Sequence, residues 1–404
     1  RSRTPHLLRQ GIWLTLVISA ILMTAFYVIS WHLQSFGLDE ELSRLGGGYL
    51  RAMLWGLPGF MLFVNVRSFL EGYARTRPAM IIGILGLALN VPCNYVLIYG
   101  KLGLPQLGAV GCGVATALCY WFMAACMIYY VRRDAQYRDL HPLFLPLLLP
   151  RTAPACGCEA RARDDASPLA APYTPEPVPC RFDFPLIWRI LRIGLPAGLQ
   201  STVFSLSNVV IQSAVNSFGS IVVAGNSAAS NLEGFVYTAM NAFAQAAVTF
   251  TSQNMGARRY DNLDRVMRNC ILCAVVTGLV LGGGASLLGE QLLHFYSSDE
   301  AVVAAGLARM HIICTTYLLC GCMDVLASCL RGRGYSVLPM VVSLVGSCLL
   351  RLVWIATIFQ LFRSTTTLYL SYPISWILTA LVHLGCLLVV RHKMKQEISL
   401  TKAA

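Results

Sequence analysis

The chain has 404 residues, of which 56% are hydrophobic and 12% are charged, and its mean hydropathy is +0.61. A soluble domain carries about a quarter of its residues as charged side chains, so this composition excludes an ordinary soluble protein. The net charge of +12 does not indicate a nucleic-acid partner, because the basic residues lie at the ends of apolar runs rather than on one face or stripe.

Ten apolar runs follow one another along the chain, and each is long enough to cross a hydrocarbon core about 30 Å thick. Backbone groups find no hydrogen-bond partner in lipid, so runs of this length must be helices. The predicted fold class is therefore an all-α polytopic membrane protein in the lipid bilayer. The runs cover residues 11–31, 48–70, 79–99, 108–131, 187–215, 221–250, 267–289, 301–329, 337–361 and 366–390.

The loops that flank these runs alternate between basic and neutral or acidic. Arg258, Arg259, Arg265 and Arg268 lie between the sixth and seventh runs, whereas the preceding loop, NSFGS, carries no charge. Loops rich in Lys and Arg stay in the cytoplasm. The alternation along the whole chain predicts that both termini are cytoplasmic.

Residues 139–186 differ in composition from the rest of the chain. They are rich in Pro, Ala and Arg and include the acidic pair Asp164 and Asp165, a composition that cannot bury a core. We interpret this segment as a cytoplasmic linker. It divides an N-terminal lobe of four helices, residues 1–138, from a C-terminal lobe of six, residues 187–404.

An internal repeat relates the two lobes. LEGYARTRPAM, around the second and third runs, corresponds to LRGRGYSVLPM, around the eighth and ninth, so that Leu70 and Gly72 align with Leu330 and Gly332 at an offset of 260 residues. Parallel repeats in membranes usually enclose a substrate site near the midplane, so the repeat predicts a transporter. At this offset the fifth and sixth runs have no counterpart in the first lobe, and we expect that lobe to lack two leading helices.

Enzymatic and metal sites lack support in the sequence. No paired-carboxylate motif or phosphate-binding Gly-rich loop occurs, and the cysteines lie mostly inside apolar runs, where they act as small hydrophobic side chains. Cys156 and Cys158 form a C-G-C without the further ligands that zinc needs. The sequence thus predicts neither an enzyme nor a bound metal or other cofactor.

Several longer motifs carry a family resemblance. RQGIWL, YLRAMLWGLPG and LNVPCNYVLIYGKLG in the first half, and VAGNSAASNLEGF, FTSQNMGARR and CLRGRGYSVLPM in the second, resemble the multidrug and toxic compound extrusion (MATE) family, with the first half similar to its NorM branch. The resemblance implies twelve helices in two lobes around a central cavity. It further implies a monomer in the bacterial inner membrane that exports cationic or amphiphilic small molecules in exchange for H⁺ or Na⁺.

Polar groups inside the apolar runs are the candidates for binding, since a charge at the bilayer centre costs at least about 2.5–3.5 kcal/mol. Asn90 and Asn94 lie one helical turn apart around Pro92 and match asparagines of the polar site in the family's first lobe. Their expected partner in the family, an acid on the first helix, falls in the segment that we expect to be missing. Hydrogen bonding between helices is the alternative role.

The sixth run carries a polar stripe of Glu233, Tyr237 and Asn241, which the spacing of four places on one helix face. The stripe either lines the cavity or joins helices by hydrogen bonds. NorM-like members carry a glutamate on the fifth run, and LPAGLQSTVF has no acid there. We therefore expect Glu233 to take over cation binding.

The eighth and ninth runs supply the remaining candidates. Desolvation favours the neutral form of a carboxyl group, so Asp324 is the candidate for ion coupling, and NorM-like members carry an acid about one turn earlier. Arg351 is predicted to be the counter-charge of Asp324 or Glu233, and a purely structural Asp324–Arg351 pair is the alternative. Tyr317 is the first choice among the aromatic residues for stacking on a cation, with packing as its alternative role.

The sequence leaves two other functions open. A flippase for lipid-linked precursors has the same architecture, with a strongly basic cavity. A chain that lacks two helices could also be inactive in transport.

Overall fold

The computed structural model describes residues 4–33, 40–133 and 183–403, which form helices joined by turns. No strand occurs within these ranges. The predicted linker, residues 139–186, lies outside the described residues apart from its last four positions, as do Cys156, Cys158 and the acidic pair at 164 and 165.

The chain divides into two compact units, Arg1–Ile190 and Leu191–Ala404. In the first unit, Pro58 lies at the start of one helix and coincides with a 44° bend between two helices that together match the second apolar run. A sixth helix begins in this unit and continues into the second. The helices are α1 Thr4–Trp31, α2 Glu40–Leu54, α3 Leu57–Gly72, α4 Arg77–Tyr99, α5 Ala109–Arg133 and α6 Phe184–Asn216.

In the second unit, two of the predicted runs contain short π-helical stretches within otherwise α-helical segments. These π-helices cover Gly278–Gly282 and Leu344–Leu349. The α-helices are α7 Ser220–Gly256, α8 Leu263–Thr277, α9 Gly283–Leu287, α10 Gly289–His294, α11 Glu300–Gly332, α12 Val337–Ser343, α13 Leu350–Ala356, α14 Ile358–Leu361 and α15 Thr365–Ala403.

Seven helical segments of the described ranges are long and apolar enough to cross a membrane, or eight if the bent pair α2–α3 counts as one span. This confirms an all-helical membrane protein. Helices α6 and α7, with 33 and 37 residues, occupy the fifth and sixth predicted runs but are not among the seven. The division into four plus six spans stays a prediction.

Helix α11 is the central element of the second unit. Its most apolar window is 61% buried, against 11–39% for the other candidate spans. Gly225 of α7 faces Gly306 of α11 so closely that a side chain on either would meet the other's backbone, and Gly332 packs equally closely on Thr251. These contacts follow the same order in both helices, so α7 and α11 run parallel to each other.

A helix-ending turn of the same type lies at corresponding positions in the two units, at the offset read from the sequence repeat. The carbonyl of Leu70 accepts the N–H of Arg75 at 2.9 Å, and the carbonyl of Leu330 accepts the N–H of Tyr335 at 3.1 Å. The residue before each donor has a positive φ: Ala74 at 60° and Gly334 at 93°. The two units therefore share local backbone geometry as well as sequence.

Candidate substrate and ion site

A buried ion pair joins α7 to α11. Arg309 donates from Nε to Oε1 of Glu233 at 2.8 Å and from Nη2 to Oε2 at 2.7 Å. The two side chains are only 7% and 4% exposed. Removing one partner of such a pair leaves an uncompensated buried charge and costs about 3–5 kcal/mol. Both carboxylate oxygens of Glu233 are thus held against α11.

The third donor of this guanidinium extends the network toward α6. Arg309 Nη1 donates to Oδ1 of Asn226 at 2.7 Å, and Asn226 Nδ2 donates to Oε1 of Gln212 at 2.9 Å. Gln212 in turn donates to Oδ1 of Asn216 at 3.0 Å. The rings of Tyr369 and Tyr372 lie 5.4 and 5.6 Å from the guanidinium carbon, within cation–π range. The hydrogen-bond network around Arg309 therefore links α6, α7 and α11, and two rings of α15 lie against the guanidinium.

Sequence reasoning missed Arg309. It lies inside the predicted run 301–329, in the stretch AVVAAGLARMHII, so its charge within an apolar run was the available signal. The prediction that Arg351 is the counter-charge of Glu233 or Asp324 is wrong for this structure. Glu233 pairs with Arg309, and the described contacts of Arg351 are with other groups, because Arg351 faces α15 rather than α7.

Arg351 lies in a box of aromatic and hydroxyl groups. Its Nε donates to Ser375 Oγ at 2.9 Å, and its guanidinium carbon lies 4.3 Å from the ring centre of Tyr372 and 5.7 Å from that of Trp376. The side chain is buried, and its Nη2 has no hydrogen-bond partner among the described residues. One donor of a buried cation is therefore left for an acceptor that the described side chains do not supply.

Asp324 stands in contrast to Glu233. It is partly buried on α11, and within the described part of the chain no hydrogen bond or ion pair engages its carboxylate. Arg331, seven residues later on the same helix, and Tyr237 of α7 are close enough to interact with it electrostatically. Asp324 is therefore an acidic group whose oxygens are available to a proton or a cation.

The predicted residues Tyr237 and Tyr317 belong to a continuous row of aromatic rings. The ring centres of Tyr237 and Tyr317 are 6.5 Å apart, those of Tyr317 and Trp376 5.4 Å, and those of Tyr372 and Trp376 5.8 Å. Tyr317 is buried in this row, whereas Tyr237 is 42% exposed. The structure thus brings Tyr237 and Tyr317 together, and Tyr237 presents the accessible ring.

Trp354 and Asn241 lie apart from this row. Trp354 donates its indole N–H to the carbonyl of Thr367 at 3.0 Å, which is a packing role at the end of the helix. Asn241 is partly buried, and no hydrogen bond of its side chain occurs within the described ranges. The predicted stripe of α7 is therefore divided, with Glu233 locked and the other two members more open.

Sequence reasoning also missed a polar seam. It joins α15 to the helical segment that runs from α12 through the π-helix to α13. Three pairs of side chains face each other in it: Ser343 and His383 at 3.1 Å, Ser347 and Thr379 at 3.2 Å, and Arg351 and Ser375 at 2.9 Å. From one pair to the next, the residue number rises by four in the first segment and falls by four in α15, and all six residues are buried. The spacing of four in both runs was the signal, which becomes visible only once the two helices are known to be neighbours.

In the first unit, Asn90 and Asn94 are brought together on α4. Asn94 Nδ2 donates to Oδ1 of Asn90 at 2.8 Å, and Oδ1 of Asn94 is buried without a partner among the described residues. Pro92 lies between them inside the helix. The pair can accept one further hydrogen bond or cation, but no described carboxylate is part of it.

Comparison with known proteins decides the family. A family model described as MatE matches residues 1–96 and 196–357. The chain belongs to the MatE family. Members of this family are transporters, and the membrane-crossing helices make the chain a multi-pass membrane protein.

Solved structures of MatE relatives have the same fold. A MATE protein in complex with MaL6 is 17% identical, with a TM-score of 0.78 over 98% of this chain and 84% of its own. An outward-facing multidrug resistance MATE transporter of the MOP superfamily is 17% identical, with a TM-score of 0.74 over the same shares. A MOP-superfamily transporter of Pyrococcus furiosus, described as having a binding pocket of reverse polarity that suggests a different function, is 17% identical, with a TM-score of 0.76 over 98% and 83%. At these identities the likeness shows the transporter fold.

Proposed function

We propose that the chain is a secondary antiporter that exports cationic or amphiphilic small organic molecules in exchange for H⁺ or Na⁺, with Asp324 as its coupling group. The observation that carries this proposal is the difference between the two acidic side chains of α7 and α11. Glu233 is held by two hydrogen bonds from Arg309, whereas Asp324 engages no hydrogen bond or ion pair within the described residues.

Exchange needs one group that two ligands cannot occupy together. An ionised Asp324 attracts a sodium ion or an organic cation, and a protonated Asp324 attracts neither. Binding of the coupling ion therefore opposes binding of a cationic substrate, which is a negative coupling between the two ligands. Glu233 cannot perform this role without leaving Arg309 as an unpaired buried charge.

The aromatic row supplies the apolar part of the site. Tyr237 and Tyr317 lie between the Glu233–Arg309 pair and Asp324 along the parallel helices α7 and α11. A cation over the face of a tyrosine gains about 0.5–2 kcal/mol, more when water is excluded. We assign the Glu233–Arg309 pair to joining α7 to α11, and Tyr237, Tyr317 and Asp324 to contact with the substrate or ion.

The proposal places the protein as a monomer in a bacterial inner membrane with both termini in the cytoplasm. The alternation of basic and neutral loops supports this orientation. Asn90 and Asn94 are assigned a secondary part, because the described first unit supplies them with no acidic partner.

A flippase for lipid-linked precursors is the second candidate function. Arg351 favours it, because a buried guanidinium with a free donor binds phosphate oxygens well. The relative from Pyrococcus furiosus, with its pocket of reverse polarity, indicates that this fold accommodates different ligand charges.

Dye export from proteoliposomes tests the antiporter. Purified protein is reconstituted with a fluorescent cationic dye inside, and a proton or sodium gradient is applied in turn. We expect one of the gradients to drive export and Asp324→Asn to abolish the gradient-driven part. Asp261→Asn, which removes an exposed carboxylate outside the helices that carry the site, serves as the matched control and should leave export unchanged.

The remaining variants separate coupling from folding. Glu233→Gln alone should reduce the amount of folded protein, whereas Glu233→Gln with Arg309→Gln should keep gradient-driven export. Export that persists in Asp324→Asn, or that neither gradient drives, contradicts the proposal. Gradient-independent flipping of a fluorescent isoprenoid-phosphate lipid that is lost in Arg351→Gln would instead support the flippase.

A further inference from the structure

Each unit carries an open apolar groove on its surface, and the two grooves use the same pattern of positions. The groove of the first unit has a volume of about 770 Å³ and runs along α5, with Ile82 of α4 on its other side. Its α5 side is lined by Phe122, Ala125, Cys126, Tyr129, Tyr130 and Arg133.

The groove of the second unit runs along α15 and has a volume of about 500 Å³. Tyr335 and Leu338, next to the start of α12, form its other side. Its α15 side is lined by the six positions that lie 260 residues later: Val382, Gly385, Cys386, Val389, Val390 and Lys393.

Successive positions in each set are spaced by three, one, three, one and three residues, as on one face of a helix, and each set ends in a basic residue. The large side chains differ between the sets, since valines stand at the positions of Phe122, Tyr129 and Tyr130. Two features are common to both sets. Each has a small residue at the second position, Ala125 or Gly385, and a basic residue at the last, Arg133 or Lys393. An apolar channel with a cation at one end is therefore the property that both units have.

Neither basic end has an acidic partner within the residues that the structure describes. Arg133 donates to the hydroxyl of Tyr129 at 3.0 Å, and no ion pair engages Arg133 or Lys393 among the described residues. By contrast, Arg391, two residues before Lys393, pairs with Asp264 at 2.7 Å. The grooves thus present an apolar wall and an unpaired cation side by side.

We propose that both grooves bind an anionic glycerophospholipid, with an acyl chain along the groove and the phosphate against Arg133 or Lys393. Eleven residues separate the first and last positions of each helix face, which corresponds to about 16 Å along a helix. That length is about half of a hydrocarbon core roughly 30 Å thick, and so matches one leaflet. The basic ends lie on the side that the loop charges place in the cytoplasm, where membranes carry anionic lipids.

Native mass spectrometry of the purified full chain, titrated with phosphatidylglycerol or phosphatidylethanolamine, tests the proposal. We expect two tightly retained phosphatidylglycerol molecules per chain and weaker retention of the zwitterionic lipid. Arg133→Gln and Lys393→Gln should each weaken one of the two sites about fivefold, the contribution of one basic residue near an anionic surface. Inorganic phosphate, which has no acyl chain, should not compete.

Arg132→Gln and Lys395→Gln are the matched controls, because each removes a charge at the same helix end without lining a groove. Gly385→Phe fills one groove and leaves Lys393 in place, and it should also remove one lipid. Equal retention of both lipids, equal effects of the control variants, or full retention in the Arg133→Gln/Lys393→Gln double variant would overturn the proposal. Gel filtration of each variant shows that the protein is folded before the measurement.

Discussion

The corresponding helix pairs of the two units pack alike but bury different groups. Between α4 and α5, Gly86 faces the flexible side chain of Met123, and Cys119 lies beside Asn90. In the second unit, the polar seam joins α15 to the segment from α12 to α13. It places hydrogen-bonding side chains at three successive turns. Repeated backbone geometry therefore does not require a repeated interior.

The difference locates the polar chemistry of the described molecule. The buried ion pair, Arg351 with its free donor and the unpaired Asp324 all belong to the second unit. The first unit offers the Asn90–Asn94 pair. The duplicated fold has thus been specialised in its second unit. Three comparisons between variants of the two units measure the size of this difference.

The largest effect is expected at the ion pair. Arg309→Gln leaves Glu233 charged and unpaired in the interior, so the free energy of unfolding should fall by about 3–5 kcal/mol. Denaturant unfolding in detergent, followed by circular dichroism, measures the change. The half-exposed pair Arg67–Glu71 of the first unit is the control, and Arg67→Gln should cost less than about 1 kcal/mol.

A double-mutant cycle sharpens this first test. If Arg309 acts by compensating Glu233, then Glu233→Gln combined with Arg309→Gln should be more stable than the sum of the two single losses predicts. Additive losses would mean that the two residues do not act as a pair.

The next effect concerns the polar seam. Ser375→Ala removes the acceptor of Arg351 Nε, and hydrogen bonds to charged groups contribute about 1.5–3 kcal/mol. The comparable change in the first unit, Cys119→Ala, removes only a small and weakly polar side chain, so we expect a loss below that of Ser375→Ala. Thermal unfolding of both variants decides the matter, and equal losses would show that the seam adds nothing to the apolar packing of the first unit.

The smallest effect is expected at two close helix contacts, Gly346 against Thr379 and Gly86 against Met123, which differ in the flexibility of the facing side chain. A methyl group at Gly346 would overlap the branched side chain of Thr379, and overpacking of this kind costs about 1–3 kcal/mol. A methyl group at Gly86 would overlap Met123, whose long side chain can turn aside. We therefore expect Gly346→Ala to lower the unfolding temperature more than Gly86→Ala does, and the reverse order would refute this account of the two interfaces.

Hydropathy predicted the helices well because lipid leaves the backbone no alternative to internal hydrogen bonds. The run 301–329 lies within α11, and the run 79–99 lies within α4. The run 48–70 is a bent pair instead of one straight helix, since Pro58 interrupts it. The two π-helical stretches have no comparable mark in the sequence.

The site was harder to predict, because partners depend on which helices are neighbours. Asp324 and Glu233 were identified from their charge within apolar runs and from the family resemblance. The sequence could not show that Arg309 faces Glu233 or that Arg351 faces α15. His383 lies in an apolar run and gave no sign of its contact with Ser343, forty residues earlier. Charge can be read along the chain, while pairing is a property of the packed bundle.

The turn that follows both α3 and α11 shows that the packed helices fix the backbone conformation of the loops between them. Gly334 adopts its left-handed conformation without penalty, but Ala74 holds the same one at a steric cost of about 1 kcal/mol. The first unit accepts this cost because the carbonyl of Leu70 and the start of α4 fix where the chain must turn. Ala74→Gly should therefore relieve strain without altering the path of the backbone.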